Sequence, residues 1–167
     1  MRDKLFLILA LTLSLALTAT AQTKTSGTAS CAKPDPAYSI DVGDATGHSL
    51  SMSKSVCTWT KPMEIAGLKT KDGYDVAYGD ASGAKARGSG YHVSTMSNGD
   101  KIYVRFQGSD TLKNGKPDTS AGTWSYTGGT GKLKGIKGKG TYKGKADASG
   151  NMVFEVQGEY ELPAAEK

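Results

Sequence analysis

From His48 onward the chain runs in short stretches of β-branched and aromatic residues punctuated by Gly and Asn. No apolar repeat of helical length occurs after residue 21. This pattern predicts an all-β sandwich or barrel. The predicted strands are Gly47–Thr60, Met63–Thr70, Tyr74–Asp80, Arg87–Ser97, Lys101–Ser109, Ala121–Thr127, Lys132–Ala146 and Met152–Leu162.

Two hairpins are specific enough to assign a register. Asn98-Gly99 is a strong signal for a two-residue type I′ turn. A loop of that length sets Ser97 against Asp100, so that Tyr91, Val93 and Thr95 share an apolar face with Ile102, Val104 and Phe106. His92 and Ser94 then fall on the polar face, opposite Arg105 and Tyr103. In the last hairpin, Ile136, Gly138, Gly140, Tyr142 and Gly144 alternate with Lys137, Lys139, Thr141, Lys143 and Lys145. The final strand alternates Met152, Phe154, Val156, Gly158 and Tyr160 with Glu155, Gln157, Glu159 and Glu161. A loop over residues 147–151 pairs Lys143, Lys139 and Lys137 with Glu155, Glu159 and Glu161. Opposite charges across a ladder specify register and keep an edge from aggregating.

The glycines between 122 and 144 exclude a helix, where each interior Gly costs about 1 kcal/mol relative to Ala. In strands they mark bends or close approach of another backbone. Repeated bends close a small antiparallel sheet into a barrel. The expected fold is therefore a single antiparallel barrel of about eight strands over residues 47–162. It is preceded by an extended polar leader over 22–46 and followed by a short tail at 163–167.

Residues 1–21 read as a secretory signal peptide: a weakly basic start (Arg2, Lys4), the apolar run Leu5–Leu17, and the small-x-small sequence Ala19-Thr20-Ala21. The run is too short for a membrane helix, which needs about 20 residues, and no later segment is apolar enough to be embedded in a membrane. Export makes a disulfide the simplest reading of Cys31 and Cys57, the chain's two cysteines. Their Cα atoms are then expected about 4.4–6.8 Å apart. The localisation expected is secreted or periplasmic.

Charge and motifs exclude more than they establish. The formal net charge is +5, falling to +4 once Arg2, Lys4 and Asp3 leave with residues 1–21. The six lysines of the Lys132–Lys145 stretch are matched by glutamates on the predicted partner strand and lack interleaved stacking aromatics, so no nucleic-acid partner is expected. Gly131-Lys132, Gly138-Lys139 and Gly144-Lys145 are not followed by Ser or Thr, which excludes a P-loop. His48 and His92 sit in no metal-ligand spacing, Asp72, Asp75 and Asp80 lack the calcium-loop order, and no cofactor or metal is called for.

The segment Gly128-Gly129-Thr130-Gly131-Lys132-Leu133-Lys134-Gly135-Ile136-Lys137-Gly138 resembles a strand junction of the allene oxide cyclase-like and dirigent-like barrels. Together with Cys57–Pro62 and Gly158-Glu159-Tyr160, it is similar to small exported bacterial barrels of unassigned function. The resemblance implies an eight-stranded calycin-type barrel, and it carries no catalytic residue over to this chain.

The function expected is a non-enzymatic module that binds a small apolar or aromatic molecule at the barrel mouth. The candidate lining is Tyr91, Val93, Val104, Phe106, Trp124 and Tyr126. A cyclase- or isomerase-like enzyme and a structural envelope protein with a lysine-rich face are the alternatives. Neither a catalytic residue nor the oligomeric state follows from the sequence.

Overall fold

The computed structural model describes residues 22–164. The signal-peptide reading of residues 1–21 lies outside the described residues. Ten strands follow in order: β1 Thr23–Cys31, β2 Ala37–Asp41, β3 His48–Lys61, β4 Glu64–Ile65, β5 Leu68–Ser82, β6 Lys85–Met96, β7 Lys101–Lys113, β8 Lys116–Gly129, β9 Lys137–Ala146 and β10 Met152–Glu161. All pairings are antiparallel. The strands β3-β1-β10-β9-β8-β7-β6-β5 form a sheet that closes through a β3–β5 ladder, giving an eight-stranded barrel. β2 adds to the free side of β3 over Ser49–Ser53, outside the closed ring.

The segment expected to be a leader contains a barrel strand. β1 lies between β10 and β3, with Thr25, Ala29 and Cys31 buried and Lys24 and Ser26 among its outward positions. Its inward residues are small because the space in front of them is already taken. A Cβ on Gly27 would stand 2.6 Å from Met63 and 2.9 Å from the Trp59 ring. Alternation without large apolar residues does not read as a strand.

The last hairpin has the expected register, with Glu155, Glu159 and Glu161 facing Lys143, Lys139 and Lys137. The hairpin at Asn98-Gly99 does not. Met96 and Asp100 close the loop, the amide of Met96 donating to the Asp100 carbonyl at 2.8 Å, so the loop has three residues. Gly99 alone in it takes positive φ, at 91°, as in a three-residue loop that ends in a left-handed residue. Two-residue turns with both central residues at positive φ occur elsewhere, at Ala66-Gly67 and Asn114-Gly115. The second of these carries β7 and β8 well past their expected ends. The shift of one residue moves every side chain of β6 to the other face. Tyr91 now pairs with Arg105, His92 with Val104 and Ser94 with Ile102.

The barrel has two unlike halves. At one end the β4–β5 hairpin (Met63, Ile65, Leu68) and the 3-10 turn Gly131–Leu133, with Ile136, fold over the opening. They pack on Trp59, Met96, Ile102, Trp124, Tyr126 and Tyr160 into one core cluster. The Tyr160 hydroxyl accepts the Ala66 amide at 2.8 Å and ties the hairpin down. Toward the other end the inward positions turn small: Ser51 and Ser53, Ala77 and Gly79, Ala86 and Gly88, Gly108 and Gly144. Ser51, although it points inward beside Gly79, is exposed. This end is open.

Glycines allow the inward rings to lie on neighbouring strands. The Trp124 ring covers Gly140 and Gly158, Tyr142 covers Gly108 and Gly122, and Phe154 covers Gly144. Added methyl groups there overpack the interior, at about 1–3 kcal/mol each. Gly144→Ala is a clean case, because its Cβ meets only side chains, with Phe154 at 2.5 Å. It is expected to lower stability by about 1–3 kcal/mol in urea titration, and Phe154→Leu in the same chain is expected to recover part of the loss. Strictly additive effects would contradict this packing.

Candidate functional site

Where the packed half gives way to the open half, three strands bring polar side chains together inside the barrel. Asp75 on β5 and His92 on β6 are cross-strand partners, and Ser94 follows His92 on the same inward face. His92 Nδ1 lies 2.6 Å from Asp75 Oδ1, and its Nε2 lies 2.7 Å from Ser94 Oγ. Trp59 Nε1 on β3 donates to Ser94 Oγ at 2.9 Å. Two of these contacts have a fixed direction. An indole N–H can only donate, so the Ser94 oxygen accepts from Trp59. The Asp75 carboxylate can only accept, so Nδ1 carries a proton and donates it to Asp75. The Trp59 and His92 rings meet edge to face, 6.1 Å apart.

The order Ser–His–Asp resembles a hydrolytic triad in its bonds but not in its access. Ser94 is fully buried and already held by Trp59, so no substrate carbonyl can approach Oγ. The accessible part is the other end, where the side chains of His92 and Asp75 are 13% and 21% exposed. Asp75 Oδ2 lies 3.5 Å from Cys57 Sγ and 3.7 Å from Cys31 Sγ. Those sulfurs form the expected disulfide and carry no proton, so they leave Oδ2 without a donor. The two cysteines are direct cross-strand partners with Cα atoms 4.0 Å apart, closer than the expected range. Cys31, Cys57 and Asp75 are also grouped closely enough for a metal. With both sulfurs in the disulfide, that trio offers a cation one carboxylate.

Tyr142 stands across the open half. Its ring meets Phe106 and Phe154 edge to face, at 6.3 and 5.8 Å. Its phenol is pushed up to about 12, chiefly by burial and further by the Asp110 and Asp75 carboxylates, against a lowering hydrogen bond from Ser120. Burial also raises the Asp110 carboxyl above its ordinary range, and Ser120 again offsets part of the shift. The open half thus carries two carboxyl groups, an imidazole and a phenol among aromatic walls.

Of the lining residues expected from sequence, Val104, Phe106, Trp124 and Tyr126 do face inward. Trp124 and Tyr126 belong to the closed end, where both are buried, with ring centroids 4.9 Å apart. The Tyr126 hydroxyl is buried there without a partner. Tyr91 and Val93 are corrections: the three-residue loop turns them outward, and Tyr91 is 54% exposed. His92, expected at the surface, is inside for the same reason. Asp75, Ser94, Asp110 and Tyr142 were not anticipated as a site. The signal that could have found His92 and Ser94 is the alternative reading of Ser97–Gly99 as a three-residue loop ending in a left-handed glycine, which Gly99 suits as well as a two-residue turn. Asp75 points inward while Asp72 and Asp80 are exposed on the outer face, so the three aspartates share no site.

A larger concavity, about 1230 Å³, lies mostly on the outer face of β1 and β7–β10. Its outer-face walls are long side chains such as Lys24, Arg105, Lys139 and Glu159 standing over Ser and Thr, a depression between solvated charged groups. The interior cluster has the fixed geometry that a specific site requires.

No family model matches the chain, and no curated protein matches it. Among solved structures, a protein of unknown function from the DUF3224 family of Shewanella oneidensis MR-1 is similar. Its TM-score is 0.50 at 18% identity, covering 86% of this chain and 100% of that one. A pyocyanin demethylase matches with a TM-score of 0.43 and 17% identity, over 80% of this chain and 98% of that one. The DUF3224 likeness is one of fold, a small β-barrel.

Replacing Ser94 tests the relay. Ser94→Ala strands the buried Trp59 N–H and His92 Nε2, which is expected to lower stability by about 1–3 kcal/mol. The Trp59 indole proton resonance should move upfield at the same time. An unchanged melting curve and indole shift would refute the relay.

Proposed function

We propose that this protein is an exported barrel that binds a small planar aromatic molecule in its open half. The ligand carries an amine or hydroxyl that donates to Asp75, and the protein binds it without transforming it. The observation that carries this reading is Asp75 Oδ2: an inward, partly exposed carboxylate oxygen with no hydrogen-bond donor among the described residues, beside His92 and with Tyr142 across the open half. A charged oxygen partly withdrawn from water gains from a donor, and a ligand's N–H or O–H would supply one. The Phe106, Tyr142 and Phe154 rings favour a flat aromatic body over a flexible acyl chain, and Ala77, Gly79, Ala86 and Gly88 add no large side chain to this half. The basic and apolar start of the chain and the Cys31–Cys57 disulfide support export.

Proton transfer is the second reading, and the Asp75–His92 pair favours it. A carboxylate with a free oxygen, backed by an imidazole, is suited to removing a proton from a bound carbonyl compound. This is the isomerase-like alternative in its specific form, with Asp75 as base and the Tyr142 phenol as donor to the developing oxyanion.

Trp59, beside His92, is the natural reporter once Trp124 is replaced by Phe. Titration with planar aromatic amines and phenols is expected to change its emission saturably, with micromolar affinity. Asp75→Asn should weaken that binding by about 10- to 100-fold, the value of a hydrogen bond to a charged group. Long-chain fatty acids are expected to leave the emission unchanged. Equal binding by wild type and Asp75→Asn would contradict the site. Conversion of the bound compound would establish the second reading over the first.

A further inference from the structure

The outer face of β2, β3, β5 and β6 has the composition of an interior. The large hydrophobic side chains exposed among the described residues are ten, between 38% and 73% exposed; nine fall on these strands and the tenth, Val42, directly follows β2. Register sets them side by side: Tyr38 against Met52 and Met52 against Tyr78, Ile40 against Leu50, and Val76 against Tyr91. Elsewhere the outer positions are mostly polar and charged, as the Lys–Glu pairs of β9 and β10 show. Single exposed apolar residues are ordinary, but a contiguous patch beyond a few hundred Å² marks an interaction surface.

We infer that this face is an interface between two copies of the chain, packed sheet on sheet about a two-fold axis. Its size fits: with aromatic side chains of about 150–250 Å² each, roughly half exposed, the patch offers on the order of 1,000 Å². A standard interface needs about 800 Å² per partner. Its composition fits as well, rich in Tyr, Met and aliphatic groups. Within it the one cation, Lys54, lies over the Tyr74 ring at 4.6 Å, with its stem on the apolar surface. Charges of both signs at one rim suit self-association. Asp80 and Arg87 are cross-strand partners there, and His48 lies between Asp44 and Asp80, 2.5 and 3.1 Å away. A two-fold axis lets each sign meet its opposite. The acidic residues Asp44, Asp72 and Asp80 around the patch do not suit an anionic lipid surface, which attracts basic rims. β2 is exposed along its whole length in the single chain, and the same packing covers its outer side chains.

Light scattering on the purified protein, as the cell processes it, tests this. Twice the chain mass at micromolar concentration is expected for wild type. Tyr78→Asp is expected to halve that mass with an unchanged far-UV spectrum, since Tyr78 makes its contacts at the surface. Tyr91→Lys at the far side of the patch should do the same, and it keeps the test decisive if Tyr78→Asp fails to fold. A monomeric wild type would overturn the inference. So would a dimer indifferent to both substitutions, or a monomer that co-sediments with phosphatidylglycerol vesicles through this face.

Discussion

The close approach of aromatic rings to glycine backbone governs this molecule. An eight-stranded barrel has an interior just wide enough for side chains. Large rings fit readily where nearby strands carry no Cβ, and here Trp124 and Tyr142 each rest on two glycines and Phe154 on one. The arrangement divides the interior. Rings, methionines and the folded-over hairpin fill one half, while the glycines, alanines and serines of the other half are not all covered.

The polar relay lies at that division. The packed side supplies Trp59, whose indole N–H donates to Ser94, the partner of His92 Nε2. The open side receives Asp75 and the edge of His92. A chain of hydrogen bonds that begins in a dry core and ends at an unpaired carboxylate oxygen is oriented by the fold before any ligand arrives. Such preorganisation is what makes an interior polar group useful in recognition.

Legibility in the sequence followed how much each face announced itself. β9 and β10 were readable because Lys and Glu alternate with inward apolar and glycine residues, so their register came out correctly. β1 was not, because Thr25, Gly27 and Ala29 are small to accommodate Trp59 and Met63, a reason that exists only in three dimensions. The β6–β7 hairpin was misread through its turn. Asn-Gly occurs at both 98–99 and 114–115, and only at 114–115 do both residues adopt positive φ. One residue of slip put Tyr91 inside and His92 outside, which hid the site while leaving the fold class intact. The barrel was legible from glycine density and strand spacing, whereas Asp75 and Ser94 meet through the β5–β6 register and face Tyr142 only because the sheet closes into a barrel.

The Asp75–His92 contact at the end of the relay is the claim on which the account of the interior stands, and the Nδ1 nitrogen of His92 reports it directly. Long-range proton–nitrogen correlation spectra of the folded protein are predicted to show Nδ1 bonded to hydrogen, with one sharp, slowly exchanging proton held by Asp75. A bare Nδ1, or averaging between the two tautomers, would contradict the account, because the Asp75 carboxylate can only accept from that nitrogen.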